Sequence, residues 1–189
     1  MITFEDQINE DLLCLAHYFE KMFSLLEDAK STEAKVPMTV RDGTEAYAPR
    51  VQISHLIKPD MLINIYAIFD FWIKRLCDNK KKICNLELGW KDINGDNDPQ
   101  RYHKYLTKYA GMNLDNLNRD YQGIQSLRSI RNKYIHAGGH VFDEKDMSKM
   151  KSIKGITIDI GTIVIHDEFV WSSLDNVEKY LIEIAEDQT

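Results

Sequence analysis

The run Arg131-Asn132-Lys133-Tyr134-Ile135-His136, leading into Ala137-Gly138-Gly139, gathers an arginine, an amide and a histidine where an apolar helical pattern stops. That set suits work on a phosphodiester: a fixed cation for the phosphate, a hydrogen-bonding group to position it, and a ring that titrates near neutral pH. Spacing limits how the three can meet. At about 100° per residue, Arg131 and His136 lie about 140° apart around a helix. Asn132 and His136, at i and i+4, share a face, and Arg128 extends that stripe one turn back. Arg131 joins them only by reaching round, or through a tightened last turn before the glycines. A basic helix end that complements the helix dipole, followed by a left-handed glycine cap, accounts for the same residues without any chemistry.

The segment Leu127-Arg128-Ser129-Ile130-Arg131-Asn132-Lys133-Tyr134-Ile135-His136 resembles the signature of the HEPN superfamily. In that family an arginine and a histidine are separated by four to six residues, and a polar residue often follows the arginine. Arg131 and His136 have four residues between them, and Asn132 is the polar follower. The resemblance extends by helix order, not residue identity, over about residues 1–187. It implies one domain over 1–189 with a metal-independent endoribonuclease activity that uses no cofactor. The ribose 2′-hydroxyl would attack the adjacent phosphate, with His136 as general acid or base and Arg131 stabilising the phosphorane. Asn132 would position His136 or the scissile phosphate. Asp70, Arg128 and His140 would support the site; for Asp70 the competing reading is an ion pair with Lys74, its i+4 neighbour, and for His140, just past the double glycine, it is simple exposure. The implied partners are an RNA substrate, a second copy of the chain, and a cognate antitoxin or neighbouring defence protein, as in toxin–antitoxin and anti-phage systems. A non-catalytic module that binds a nucleotide, an RNA or a protein is the alternative, and a helical scaffold whose Arg/His set is only a helix end is the third reading.

Composition narrows the classes. The 189 residues suffice for one domain with a substantial core. Hydrophobic and charged shares of 43% and 29% are those of an ordinary globular protein. A net charge of -6 argues against a nucleic-acid coat protein, which needs many phosphate-neutralising cations, and leaves room for a local basic cleft. Cys14, Cys77 and Cys84 form no even framework and no CxxC pair, which points to a reducing cytoplasm and to thiols used as core packing. The acidic start Met1 to Asp6 has no leader character. The richest apolar run, Met61 to Trp72, is too short for a membrane span and carries Asn64 and Asp70.

The elements that must position the motif follow from periodicity. Thr3 can cap a first helix with Ile8, Leu12, Leu15, Phe19, Met22, Phe23 and Leu26 on one face. Residues 31–54, punctuated by Pro37, Asp42-Gly43 and Pro49, read as a loop excursion with a weak hairpin. Pro59 suits the first turn of a second helix reaching about Asn79, apolar on much of its circumference. That breadth, with Phe69, Phe71, Trp72 and Ile73 spread around it, motivates the homodimer expectation. Lys80-Lys81-Lys82 reads as its solvated end. Asp98 can cap a third helix from Pro99 to Ala110. The motif helix starts near Leu117, with Tyr121, Ile124, Leu127, Ile130, Tyr134 and Ile135 inward. Ile156, Ile158 and Ile160, then Gly161 and Thr162 to Ile165, signal a β-hairpin. Asp167 can cap a last helix burying Leu174, Val177, Leu181 and Ile184. The fold expected is mainly α: a HEPN-like bundle of about five helices with a small hairpin before the last.

Other candidates weigh less. Asp92, Asn94, Asp96 and Asp98 alternate as in a calcium loop, but Asn97 stands where that loop needs glycine and His103 where it needs glutamate, so a polar turn and no metal are expected. His17, His55, His103, His136, His140 and His166 form no zinc-spaced set. His103, beside Arg101 and Lys104, reads as an RNA-contacting patch or, more simply, a solvated face.

Overall fold

The computed structural model describes residues 2–32, 37–39, 45–47 and 54–187. Six α-helices appear in the order α1 (Phe4–Thr32), α2 (Ser54–Ile83), α3 (Asp98–Lys104), α4 (Asn118–Ala137), α5 (Glu144–Lys151) and α6 (Asp167–Glu186). A hairpin of β1 (Pro37–Thr39) and β2 (Glu45–Tyr47) lies between α1 and α2, inside the expected excursion; the rest of that excursion is outside the described residues. A second hairpin, β3 (Ile156–Asp159) and β4 (Thr162–Ile165), precedes α6. The chain is therefore mainly helical, with a two-stranded hairpin before the last helix. No helix among the described residues is long and apolar enough to cross a membrane.

Local sequence accounts for the helix starts. Thr3 Oγ1 accepts from the Asp6 amide and Asp6 Oδ2 accepts from the Thr3 amide, a reciprocal cap that opens α1. Asn97, one residue before the expected Asp98, caps α3 by accepting from the Gln100 amide at 3.0 Å. Asp98 instead faces Arg101 at 3.5 Å. Asp167 is likewise inside α6 and pairs with Lys58 at 2.6 Å, while His166 holds the N-cap position. Pro59 lies within α2, not in its first turn, because the helix already starts at Ser54.

The core gathers where α6 packs on α1, α2 and α4. Phe19, Ile65, Phe69, Ile124, Leu127, Leu174 and Leu181 are buried there, as their apolar faces predict, and Phe23 is half-buried. Trp72 Nε1 donates to Asp11 Oδ2 at 2.8 Å, so α2 is tied to α1 at an otherwise apolar contact. Of the four aromatic and aliphatic residues that suggested a dimer face, Phe69, Trp72 and Ile73 are buried within the chain, and Phe71 stays 50% exposed.

Several polar and small residues behave differently from expectation. Lys80 is only 7% exposed and donates to both the main-chain and side-chain oxygens of Asp187, so it is a paired core-edge cation and not a solvated end. Cys77 is buried, as core packing requires, and burial raises its thiol pKa; Cys14 and Cys84 are exposed. Ile160 leaves the strand alternation to occupy the turn with Gly161, at φ 44° and 96% exposed. Two consecutive positive φ values are what a two-residue hairpin turn demands, and the turn wins over the alternation.

After α3 the chain widens into a π-helical turn over Tyr105–Tyr109, closed by the Ala110 amide donating to the Tyr105 carbonyl. Tyr105 and Leu106 enter the core there, and Tyr109 faces out.

Candidate functional site

α4 ends where the motif predicts. Gly138, at φ 58°, takes the left-handed cap, and its amide donates to the Tyr134 carbonyl. Gly139, at φ 82°, has no room for a Cβ, which would sit 2.7 Å from the Tyr134 ring. Its carbonyl accepts from the Ile163 amide, and Tyr134 Oη donates to the Ile163 carbonyl. Burial pushes the Tyr134 hydroxyl up to about 12. The helix end carrying His136 is thus fastened to β4 on two sides of one residue.

Arg128, Asn132 and His136 form the expected i, i+4, i+8 stripe, and all three line one cleft of about 280 Å³. Lys133 lines it too, facing Asp146 and Lys149 from α5. Lys133 and Asp146 form an ion pair across it, and that contact holds the Asp146 carboxyl below its usual range. α5 was not expected from the sequence. It is short and polar, with Met147 and Met150 its apolar residues; its one local signal is Asp143, which accepts from the Asp146 amide at 2.7 Å as an N-cap.

Arg131 does not line the cleft. It stands four residues after Leu127, so it falls on the core side of α4. Its guanidinium lies over the Tyr66 ring of α2, 5.1 Å from the centroid. From there Nη1 donates to Asn132 Oδ1 at 2.9 Å, which links it to the cleft through one hydrogen bond. Its Nε is buried without a hydrogen-bond partner. Tyr66 is the residue that sequence reasoning missed, since an aromatic on an apolar helix carries no signal of its own. Burial, then the Asp70 carboxylate, pushes its hydroxyl up to about 12.

Asp70 sits one turn beyond Tyr66 and is engaged elsewhere: it accepts from Tyr102 Oη at 2.9 Å and forms an ion pair with Lys74. It does not line the cleft. His140 is exposed, with Nδ1 3.2 Å from Thr162 Oγ1 at the hairpin and its ring tilted against Phe142, also outside the cleft lining. Ile135 faces solvent instead of the core. Among the described residues no group of three His, Cys, Asp or Glu side chains is arranged to hold a metal ion.

His103 is half-buried, stacked on Tyr121 with centroids 4.1 Å apart, and its Nδ1 is 2.9 Å from Tyr180 Oη. Burial holds its pKa below the ordinary 6.5. As pH falls through that ordinary value the unfolded chain takes up the proton first, so this residue's contribution to stability is intact above about pH 6.5 and is lost below it. The urea midpoint of the wild type should therefore fall between pH 7 and 5, and His103→Gln should flatten that part of the profile. An unchanged slope in the variant would assign the pH dependence to other groups.

No protein-family model, no curated protein and no solved structure matches this chain.

Proposed function

We propose that the chain is a metal-independent endoribonuclease with the α4–α5 cleft as its active site. The observation that carries this reading is the stripe of Arg128, Asn132 and His136 opening on one hollow, with Arg131 bonded to Asn132 behind it. His136 takes the proton from a ribose 2′-hydroxyl as that oxygen attacks the neighbouring phosphorus. The bond from phosphorus to the 5′-oxygen breaks, that oxygen takes a proton from solvent water at the exposed cleft mouth, and a 2′,3′-cyclic phosphate remains. Arg128 and Lys149 meet the non-bridging oxygens, and Arg131 fixes the amide of Asn132. The unpartnered Nε of Arg131 is a buried donor, which costs about 1–3 kcal/mol to leave unmade. No step requires a metal, since the nucleophile belongs to the substrate.

The test is cleavage of a mixed-sequence RNA in EDTA. Persistent cutting with 2′,3′-cyclic or 2′-/3′-phosphate ends supports the reading. A need for Mg²⁺, or 5′-phosphate ends, removes it. The placement of Arg131 on Tyr66, off the cleft wall, favours a second reading in which the site grips a phosphate without cutting; RNA bound and recovered intact would select it. A toxin or anti-phage role belongs to the same proposal, as does a homodimer, for which Phe71, with Leu56 and Ile83 towards the two ends of α2, is an exposed apolar side chain.

A further inference from the structure

The cleft is one end of a longer depression. Arg128, Ser129 and Lys149 also wall a second hollow of about 540 Å³ along α4. That hollow in turn shares Gln100 and Tyr121 with a third, also of about 540 Å³, lined by His103, Lys104 and Lys108. From His136 back to Tyr121 the helix rises about 22 Å, the length of about six nucleotides at a stacked spacing of 3.4 Å.

We infer that these three hollows form one track for a single strand of RNA, gripped at its far end by Lys104, Lys108 and the Tyr121–His103 stack. The inference deepens the ribonuclease reading and rests on it for chemistry at His136, but not for binding. Three properties of the walls support it. Their charged side chains are Lys104, Lys108, Arg128, Lys133 and Lys149 against Asp96 and Asp146 alone, on a chain whose net charge is -6. Cations are thus concentrated where a phosphate backbone would lie. Amides line the middle, and Gln125 is held ready by Tyr121 Oη at 2.7 Å and Asn97 Oδ1 at 3.3 Å. Amide groups of this kind suit base edges, which only an unpaired strand presents freely. Tyr121 stands in the wall common to two hollows with His103 stacked behind it, a flat platform for a base.

The experiment measures binding by anisotropy with a fluorescein-labelled 12-nucleotide RNA carrying 2′-O-methyl groups throughout, which cannot be cut by its own 2′-oxygen. A 3-nucleotide version, a duplex of the same sequence and polyglutamate as competitor accompany it. The paired variant Lys104→Glu/Lys108→Glu should weaken the 12-mer about tenfold or more and lower the salt slope by roughly 1, while the 3-mer is unaffected. Tyr121→Ala should weaken the 12-mer about tenfold, the loss of one stacked base. Melting curves check that the variants fold; Lys108 is exposed and Lys104 is half-buried with its ammonium donating to the Asn94 carbonyl, so neither is a core residue and the pair serves if Tyr121→Ala does not fold. The track is overturned if the lysine pair leaves 12-mer affinity within twofold, if the duplex binds as tightly as the strand, or if polyglutamate displaces the strand at equal charge. A 12-mer bound in this pattern, with the unmodified strand left uncut, keeps the track and removes the ribonuclease reading. Cutting that depends on His136 but ignores the far end keeps the nuclease and removes the track.

Discussion

His136→Ala should slow RNA cleavage by about 10²- to 10⁴-fold, the range expected when a general acid–base group is deleted, while RNA affinity changes by less than about threefold. The ring is exposed at the cleft mouth and is not part of the core, so folding stability should move by no more than about 0.5 kcal/mol. Arg131→Ala should behave differently. It uncovers the Tyr66 face and frees Asn132 as well as removing a cation, so stability, affinity and rate should all fall. Single-turnover rates at saturating RNA separate the two variants. Cleavage by His136→Ala at the wild-type rate would take catalysis away from this cleft altogether.

Phe69→Ala should destabilise the fold by about 3–5 kcal/mol, the cost of emptying an aromatic site in a core that cannot collapse fully. Phe69 is buried among the rings of Tyr66, Tyr102 and Tyr180, with centroids 5.8, 6.4 and 6.3 Å away. Tyr66 and Tyr102 are also the residues that Arg131 and Asp70 contact, so the loss should reach the cleft as lower activity in the surviving folded fraction. For a chain of this size the melting temperature should drop by about 10 °C. Denaturant unfolding should show a lower midpoint with an unchanged slope. A loss under about 1 kcal/mol would mean that this cluster is not the keystone between α2, α3 and α6.

The four long or strongly periodic helices were legible because one apolar face per helix is a redundant signal: losing Ile135 or Phe23 from full burial did not hide it. The stripe of Arg128, Asn132 and His136 was legible for the same geometric reason. The side of α4 that Arg131 takes was not settled, because its i+4 relation to Leu127 competes with the reach of its side chain. α5 escaped because eight residues with two methionines carry too little periodicity to stand out, yet it supplies the opposite wall of the cleft. Lys80 and Asp70 show a further limit. A local i+4 partner can be read, as Lys74 was for Asp70, but a distant one is not announced: Lys80 pairs with Asp187, more than a hundred residues on, and Asp70 also accepts from Tyr102 on α3.

The widened turn at Tyr105–Tyr109 is an α-helical segment with one residue too many. Descent has a simple way to undo it. A relative lacking one residue in this stretch would close the turn to ordinary α-helix and keep the buried Tyr102 upstream. Everything downstream to Ala110 would rotate by about 100°. Lys108 would then leave the wall it shares with His103 and Lys104. Single-residue gaps at this point, in natural sequences or in a library of deletions, would therefore sort chains that keep the bundle and the Arg/His cleft from those that also keep the grip some 20 Å away.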